Sequence, residues 1–220
     1  MKKNPIIQYA LDVTTIEEAK KLAHYGVEEG VDWLEIGNPL IKFEGVRSLK
    51  SLREAFPNKY ILADFMILSG SRRYIDIAKE YGVNNITVTA LAPDETVKEA
   101  IELCEKNNLD CTVDLFHKEN LLDNAKKYEE MGADYVMVHY GVDQKRLNLE
   151  KKPLKSLKEV VEHVNIPVSY ATYDFYESKE AVDLGASVIV QGEPLLTSVT
   201  PQADLKKFIE NTKGKEENDL

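Results

Sequence analysis

The feature that most constrains this 220-residue chain is an alternation running from end to end. Short runs rich in β-branched and aromatic residues are each followed by a longer segment with apolar residues at helical spacing. "IIQYALD", "VDWLEIG", "KYILADF", "NNITVTA", "DCTVDLF", "ADYVMVHYG", "IPVSYAT" and "ASVIVQG" read as strands. "TIEEAKKLAHYGVEEG" reads as a helix, with Ile16, Ala19, Leu22, Ala23 and Val27 on one face. Strict alternation means parallel β/α units, because a parallel neighbour is reached only by a crossover. "EYGV", "EMGA" and "DLGA" repeat one punctuation: Gly82, Gly132 and Gly185 fall where a helix stops and a strand begins, the place of a left-handed C-terminal cap. Eight such units predict a single (β/α)8 barrel over residues 1–212. A doubly wound open sheet is the alternative, but it would carry a G-x-G-x-x-G turn after the first strand, where this chain has Asp12, Val13 and Thr14. The final "KGKEENDL", residues 213–220, is charged and poor in apolar residues, which predicts a disordered tail.

A net charge of −10 argues against a nucleic-acid partner, which would need clustered Lys and Arg to neutralise phosphates. Cys104 and Cys111 are too few for a disulfide framework or a cysteine zinc site, and packing is their expected role. No apolar run approaches the roughly 20 residues of a membrane span. The start "MKKNPIIQYALD" lacks the apolar stretch and cleavage site of a signal peptide, so a cytoplasmic protein acting on small molecules is expected.

Active sites of such barrels lie at the C-terminal ends of the strands. The polar residues there are Asp12, Glu35, Asp64, Asp114 and His139. Any one carboxylate can simply cap the next helix; several on successive strands point to chemistry. Glu35 and Asp64 come from neighbouring strands and suit a hard divalent cation such as Mg2+, completed by water and substrate. His139 is the side chain best suited to proton transfer near neutral pH. His117 follows the fifth strand within reach of the mouth, whereas His24 and His163 sit in helical segments where a surface position is expected.

"YALDVTTIEEA", "VDWLEIGNPLIKFEG", "LREAFPNKYILAD", "GADYVMVHYGVDQ" and "KPLKSLKEV" resemble stretches of 3-hexulose-6-phosphate synthase and 3-keto-L-gulonate-6-phosphate decarboxylase, of the orotidine-monophosphate-decarboxylase superfamily. The resemblance runs in order over nearly the whole chain. It implies Asp12, Asp64 and His139 as catalytic residues, Glu35 and Asp64 as Mg2+ ligands against an enediolate, and a homodimer. It further implies substrate contacts from Asp114, Asp143, Thr172 and Gly192. Two departures stand out. The family's D-x-K-x-x-D reads Asp64, Phe65, Met66 and, at its end, Ser69, and a thioether supplies neither the charge nor the proton of lysine. The glycine-rich phosphate turns after the last two strands read Ala171–Thr172–Tyr173–Asp174 and Gln191–Gly192–Glu193–Pro194, with two acids where a dianion would sit. The rings of "YATYDFY" (Tyr170, Tyr173, Phe175, Tyr176) read as core or as a sugar-stacking wall. The expected function is a divergent Mg2+-assisted lyase or aldolase of a sugar or sugar phosphate. The alternatives are isomerase- or epimerase-type enolisation of an unphosphorylated keto-sugar, or a non-catalytic homologue that binds a metabolite or partner.

Overall fold

The computed structural model describes residues 4–148 and 152–214. Its order is β1 (Ile6–Leu11), α1 (Ile16–Glu28), β2 (Trp33–Ile36), α2 (Asn38–Glu44), α3 (Arg47–Ala55), β3 (Tyr60–Ile67), α4 (Ser71–Glu80), β4 (Asn85–Thr89), α5 (Asp94–Asn107), β5 (Asp110–Asp114), α6 (Leu121–Glu130), β6 (Tyr135–Val138), α7 (Val142–Leu147), α8 (Leu154–Val161), β7 (Val168–Thr172), α9 (Glu177–Asp183), β8 (Val188–Gln191) and α10 (Pro201–Lys213). The strands form one closed parallel barrel in sequence order, sealed where Ile6–Tyr9 pairs with Val188–Gln191. The open-sheet alternative is thereby set aside. Lys213 closes α10, and the rest of the expected tail past Gly214 lies outside the described residues. No helix among the described residues is long and apolar enough to cross a membrane.

Successive side chains of a strand face opposite sides, so the barrel wall has two linings. The outer one packs against the helices in the main core, built from residues such as Ile7, Tyr9, Leu34, Ile36, Ile86, Val88, Val113 and Val136. A smaller cluster of Ala10, Trp33, Met137, Val188 and Val190 fills the inside, flanked by Tyr60 and Tyr135. Trp33 stacks on Tyr60 at 4.2 Å between ring centroids and meets Tyr135 edge-on at 5.3 Å, which plugs the barrel base. Both cysteines are buried, as packing predicts.

The helix-to-strand punctuation works as the sequence implies, with Gly82, Gly132 and Gly185 at φ 68, 94 and 104°. Two extra helices, α3 after β2 and α8 after β6, break the simple alternation. At the base, Arg53 of α3 donates to the carbonyls of Gly82 (2.9 Å), Phe56 (3.2 Å), Pro57 (3.0 Å) and Lys59 (2.8 Å), and to Asn84 Oδ1 (2.7 Å). The same Asn84 oxygen accepts the Ile61 N–H at 2.9 Å, so one guanidinium ties α3 to the start of β3 and the turn before β4. Arg53→Ala is expected to destabilise the fold by about 2 kcal/mol, the scale of losing hydrogen bonds to a charged group. Urea unfolding checks this, and an unchanged midpoint would show the clamp to be dispensable.

Candidate active site

Five of the sequence-derived residues meet at one end of the barrel. Glu35, on β2, is 7 % exposed and accepts Gln8 Nε2 at 2.6 Å. Asp64 accepts Thr87 Oγ1 at 2.6 Å. Asp114 ends β5 and is 1 % exposed; its Oδ2 lies 2.9 Å from His139 Nδ1. His139 Nε2 in turn lies 3.4 Å from the hydroxyl of Tyr173. Asp12 follows β1 at the accessible rim, wedged between two glycines. A Cβ on Gly37 would come within 2.2 Å of Asp12 Oδ1, and one on Gly192 within 3.3 Å of Oδ2 and 2.9 Å of the Ala10 carbonyl. A side chain at Gly37 would displace the Asp12 carboxylate, and one at Gly192 would press on the Ala10 carbonyl.

Asp64 is not at a strand end, as the sequence suggested. β3 continues to Ile67 through a bulge that places two extra residues opposite β4, between the pairs Ala63–Ile86 and Ile67–Val88. Met66 sits in that bulge at φ 45°, a left-handed conformation uncommon for a residue with a side chain. Its N–H donates to Thr87 Oγ1 at 2.9 Å. Thr87 therefore accepts from the bulge and donates to Asp64, which fixes the carboxylate. Neither Thr87 nor Gln8 was legible as a site residue, since both look like ordinary strand residues. Their only signal is that a polar side chain on the inner face of a closed barrel must find a partner there.

The electrostatics follow from crowding acids in a dry mouth. Burial pushes Glu35 well above the usual carboxylate range, and Asp64 and Asp12 add to it against the Gln8 hydrogen bond. Burial likewise pushes Asp64 up to about 7, with Thr87 pulling back and Asp12 and Asp114 adding. Asp12 is raised by lost solvation and by Glu193, against the pull of His139. For His139 burial opposes the charge, but Asp114, Asp64 and Asp12 outweigh it and the imidazole is raised. Burial and the surrounding acids keep Tyr173 a neutral phenol.

The remaining expected residues are placed differently. Thr172 is buried, and its hydroxyl is engaged with the Asp174 backbone. Asp143, on α7, is 90 % exposed at its side chain and pairs with Arg146 at 3.8 Å, while its charge also bears on Tyr173. His117 is exposed and bonded to Gln144 at 3.2 Å; His24 and His163 are on the surface as expected. The "YATYDFY" rings form no single wall. Tyr170 is buried against Glu177, Phe175 packs on the core, Tyr176 is 71 % exposed, and Tyr173 alone reaches His139.

Among the described residues no group of three or more His, Cys, Asp or Glu side chains is arranged to hold a metal ion. A cation here would rest on two carboxylates, with its other positions open to oxygens of water or ligand, an arrangement Mg2+ accepts. The donor set fits: Glu35 and Asp64 are hard oxygen donors whose mutual repulsion a cation relieves.

A closed parallel barrel with acids and an imidazole gathered at the C-terminal strand ends has the layout of a barrel enzyme. The chain belongs to the orotidine 5'-phosphate decarboxylase / HUMPS family, whose profile matches residues 5–208. A 3-hexulose-6-phosphate synthase of Staphylococcus epidermidis is 39% identical over 155 residues, covering 70% of this chain and 72% of that one. The crystal structure of 3-hexulose-6-phosphate synthase from Salmonella typhimurium superposes with a TM-score of 0.88 at 26% identity, over 94% of this chain and 98% of that one. 3-Keto-L-gulonate-6-phosphate decarboxylase from Vibrio cholerae shares the fold, with a TM-score of 0.79 at 22% identity over 96% and 99%.

Raised carboxylates have a definite signature. A group with its folded pKa lifted from 3.8 to about 7 lowers stability progressively as pH rises between those values. The raised His139 acts in the same direction, its contribution being lost as pH rises through its folded pKa. In metal-free buffer the melting temperature is therefore expected to fall from pH 5 to pH 8. Asp64→Asn should raise it at pH 8 by at least about 3 °C, the shift that about 1 kcal/mol gives in a domain of this size, and leave it unchanged near pH 4. Calorimetric melts across pH decide this; a gain that does not grow with pH would refute the buried-acid account.

Proposed function

We propose that the chain is a carbon–carbon lyase acting on a sugar or sugar phosphate, by way of proton movement at the carbon beside a carbonyl. The observation that carries this reading is the convergence of Asp12, Glu35, Asp64, Asp114 and His139 in one mouth, with Asp64 poised near neutrality. Similarity to 3-hexulose-6-phosphate synthases supports the lyase class. Glu35 and Asp64 would hold Mg2+, which when bound supplies a fixed positive charge opposite oxygens that become anionic.

Each residue then has a physical task. Glu35 and Asp64, locked by Gln8 and Thr87, present their carboxylates without rotational freedom. Asp114 fixes the His139 ring through Nδ1, which leaves Nε2 directed at the Tyr173 hydroxyl. The Tyr173 phenol keeps its proton and orients Nε2, so the imidazole itself supplies the acid–base capacity in a mouth where Met66 supplies none. A second reading keeps the enolisation and ends in isomerisation or epimerisation of an unphosphorylated keto-sugar; the β7 turn, filled by Thr172 and Tyr173 rather than glycines, favours it. The expected homodimer would use the apolar rim beyond β2, β3 and β4, where Phe43 (72 %), Leu68 (57 %), Tyr74 (39 %) and Leu91 (46 %) are exposed. Sedimentation of wild type against a Leu68→Arg, Leu91→Arg variant tests this: wild type should run as a dimer and the variant as a monomer, and a wild-type monomer would refute it.

Hydrogen exchange beside the carbonyl, read by NMR in D2O with Mg2+ and a panel of keto-sugars and their phosphates, tests the chemistry. Wild type is expected to exchange at least one of them. His139→Ala should lose about 10²–10⁴-fold in rate, the usual worth of a positioned acid–base group, and Glu35→Gln should lower the rate by weakening Mg2+ binding. A wild type that exchanges none of the panel would defeat the lyase and isomerase readings together and favour a binding protein.

A further inference from the structure

Barrels of this kind frequently seat a substrate phosphate on the loops after the seventh and eighth strands, where backbone amides at the start of a short helix point at it. In this chain that place is already filled from within. Asp174 Oδ1 accepts the N–H of Tyr176 at 2.8 Å and of Glu177 at 3.2 Å, the amides that open α9. The Asp174 N–H is itself turned back onto Thr172 Oγ1 at 3.1 Å. Burial opposes the Asp174 charge, yet the two amides, with Lys152 and Lys145, outweigh it and hold the carboxyl below its ordinary range. A fixed anion of the protein thus stands where phosphate oxygens would.

The facing loop repeats the point. Glu193, just after β8, accepts Thr197 Oγ1 at 2.6 Å and presents a second carboxylate. Gly192, the one glycine of the two turns, is needed to admit Asp12 and the Ala10 carbonyl. Between the loops lies a pocket of about 680 Å³, lined by Lys145, Arg146, Lys152, Tyr173, Asp174 and Glu193 among others. Its cations already have acidic neighbours. Lys145 lies 3.5 Å from Glu177, Arg146 3.8 Å from Asp143, and Lys152 3.8 Å from Asp174 and 4.0 Å from Glu177. Each of the three cations thus has an acidic partner before any ligand arrives. A dianion would meet two fixed carboxylates and find the helix amides taken. Hydroxyl groups, in contrast, can donate to Asp174 and Glu193 and accept from Lys152.

We propose that this pocket takes the uncharged, hydroxyl-bearing end of an unphosphorylated sugar, and that Asp174 and Glu193 exclude a terminal phosphate ester. The proposal rests on the reading of the mouth as a keto-sugar site and specifies which keto-sugars enter it.

Calorimetric titration of the full chain in Mg2+ buffer with D-ribulose, D-ribulose 5-phosphate and inorganic phosphate tests it. Wild type is expected to bind the free sugar at least about tenfold more tightly than its ester, and inorganic phosphate should not displace the sugar. Asp174→Asn with Glu193→Gln should narrow or reverse that preference by about tenfold; asparagine keeps an acceptor for the two amides, and Glu193→Gln alone serves if the pair does not fold. Equal or tighter binding of the ester, displacement by inorganic phosphate, binding of neither sugar, or a preference unchanged in the variants would overturn the proposal. The lyase reading fails separately, if the bound free sugar exchanges no hydrogen beside its carbonyl while the preference persists.

Discussion

Everything in this structure depends on closure of the sheet through the β1–β8 ladder. Once eight parallel strands close, the two-residue pleat commits every strand position either to the helices outside or to a narrow interior. Gln8, Ala10 and Asp12 follow one another inward along β1, as Trp33 and Glu35 do on β2. The chain uses that interior unevenly, with rings and aliphatic groups at the base and acids at the mouth.

The cost of crowding acids is carried by the rest of the fold. Glu35, Asp64 and Asp12 disfavour one another, and burial disfavours each. No lysine of β3 relieves them, because the bulge presents Met66 instead. What opposes the repulsion is the apolar layer between barrel and helices, together with short-range locks such as Gln8 on Glu35 and Thr87 on Asp64. Stability is built at the base and between the layers, and reactivity is concentrated at the mouth, the division expected where function and folding compete for the same residues.

The sequence was most informative where a local rule decides the outcome. Strand runs, the Gly82, Gly132 and Gly185 caps, and the acids after successive strands follow from pleat period and helix termination, and they led directly to the barrel and to Asp12, Glu35, Asp64, Asp114 and His139. What it concealed depends on long-range register. The β3 bulge shifts pairing by two residues, and nothing in "ADFMILSG" announces it. Thr87 becomes a lock for Asp64 only through β3–β4 register, and Tyr173 becomes a partner of His139 only because the loop after β7 folds over the mouth. Asp143, a position carried over from a motif, lies on the solvent side of the short helix α7, and its charge still bears on Tyr173. The helix pairs α2–α3 and α7–α8 were also missed, since short helices lack enough periodic residues to register as separate elements.

The stacked base of the barrel carries one more consequence. Trp33 is the sole tryptophan of the chain and lies 7 % exposed on the ring of Tyr60, two positions below Glu35 on the same strand face. The tryptophan fluorescence of this protein, excited beyond the absorption of its eleven tyrosines, therefore comes from a single emitter seated inside the barrel. Its wavelength and quenching report the dryness of the interior directly, so a drop of urea-unfolded chain and a breath of water into a still-folded base would give different colours of light.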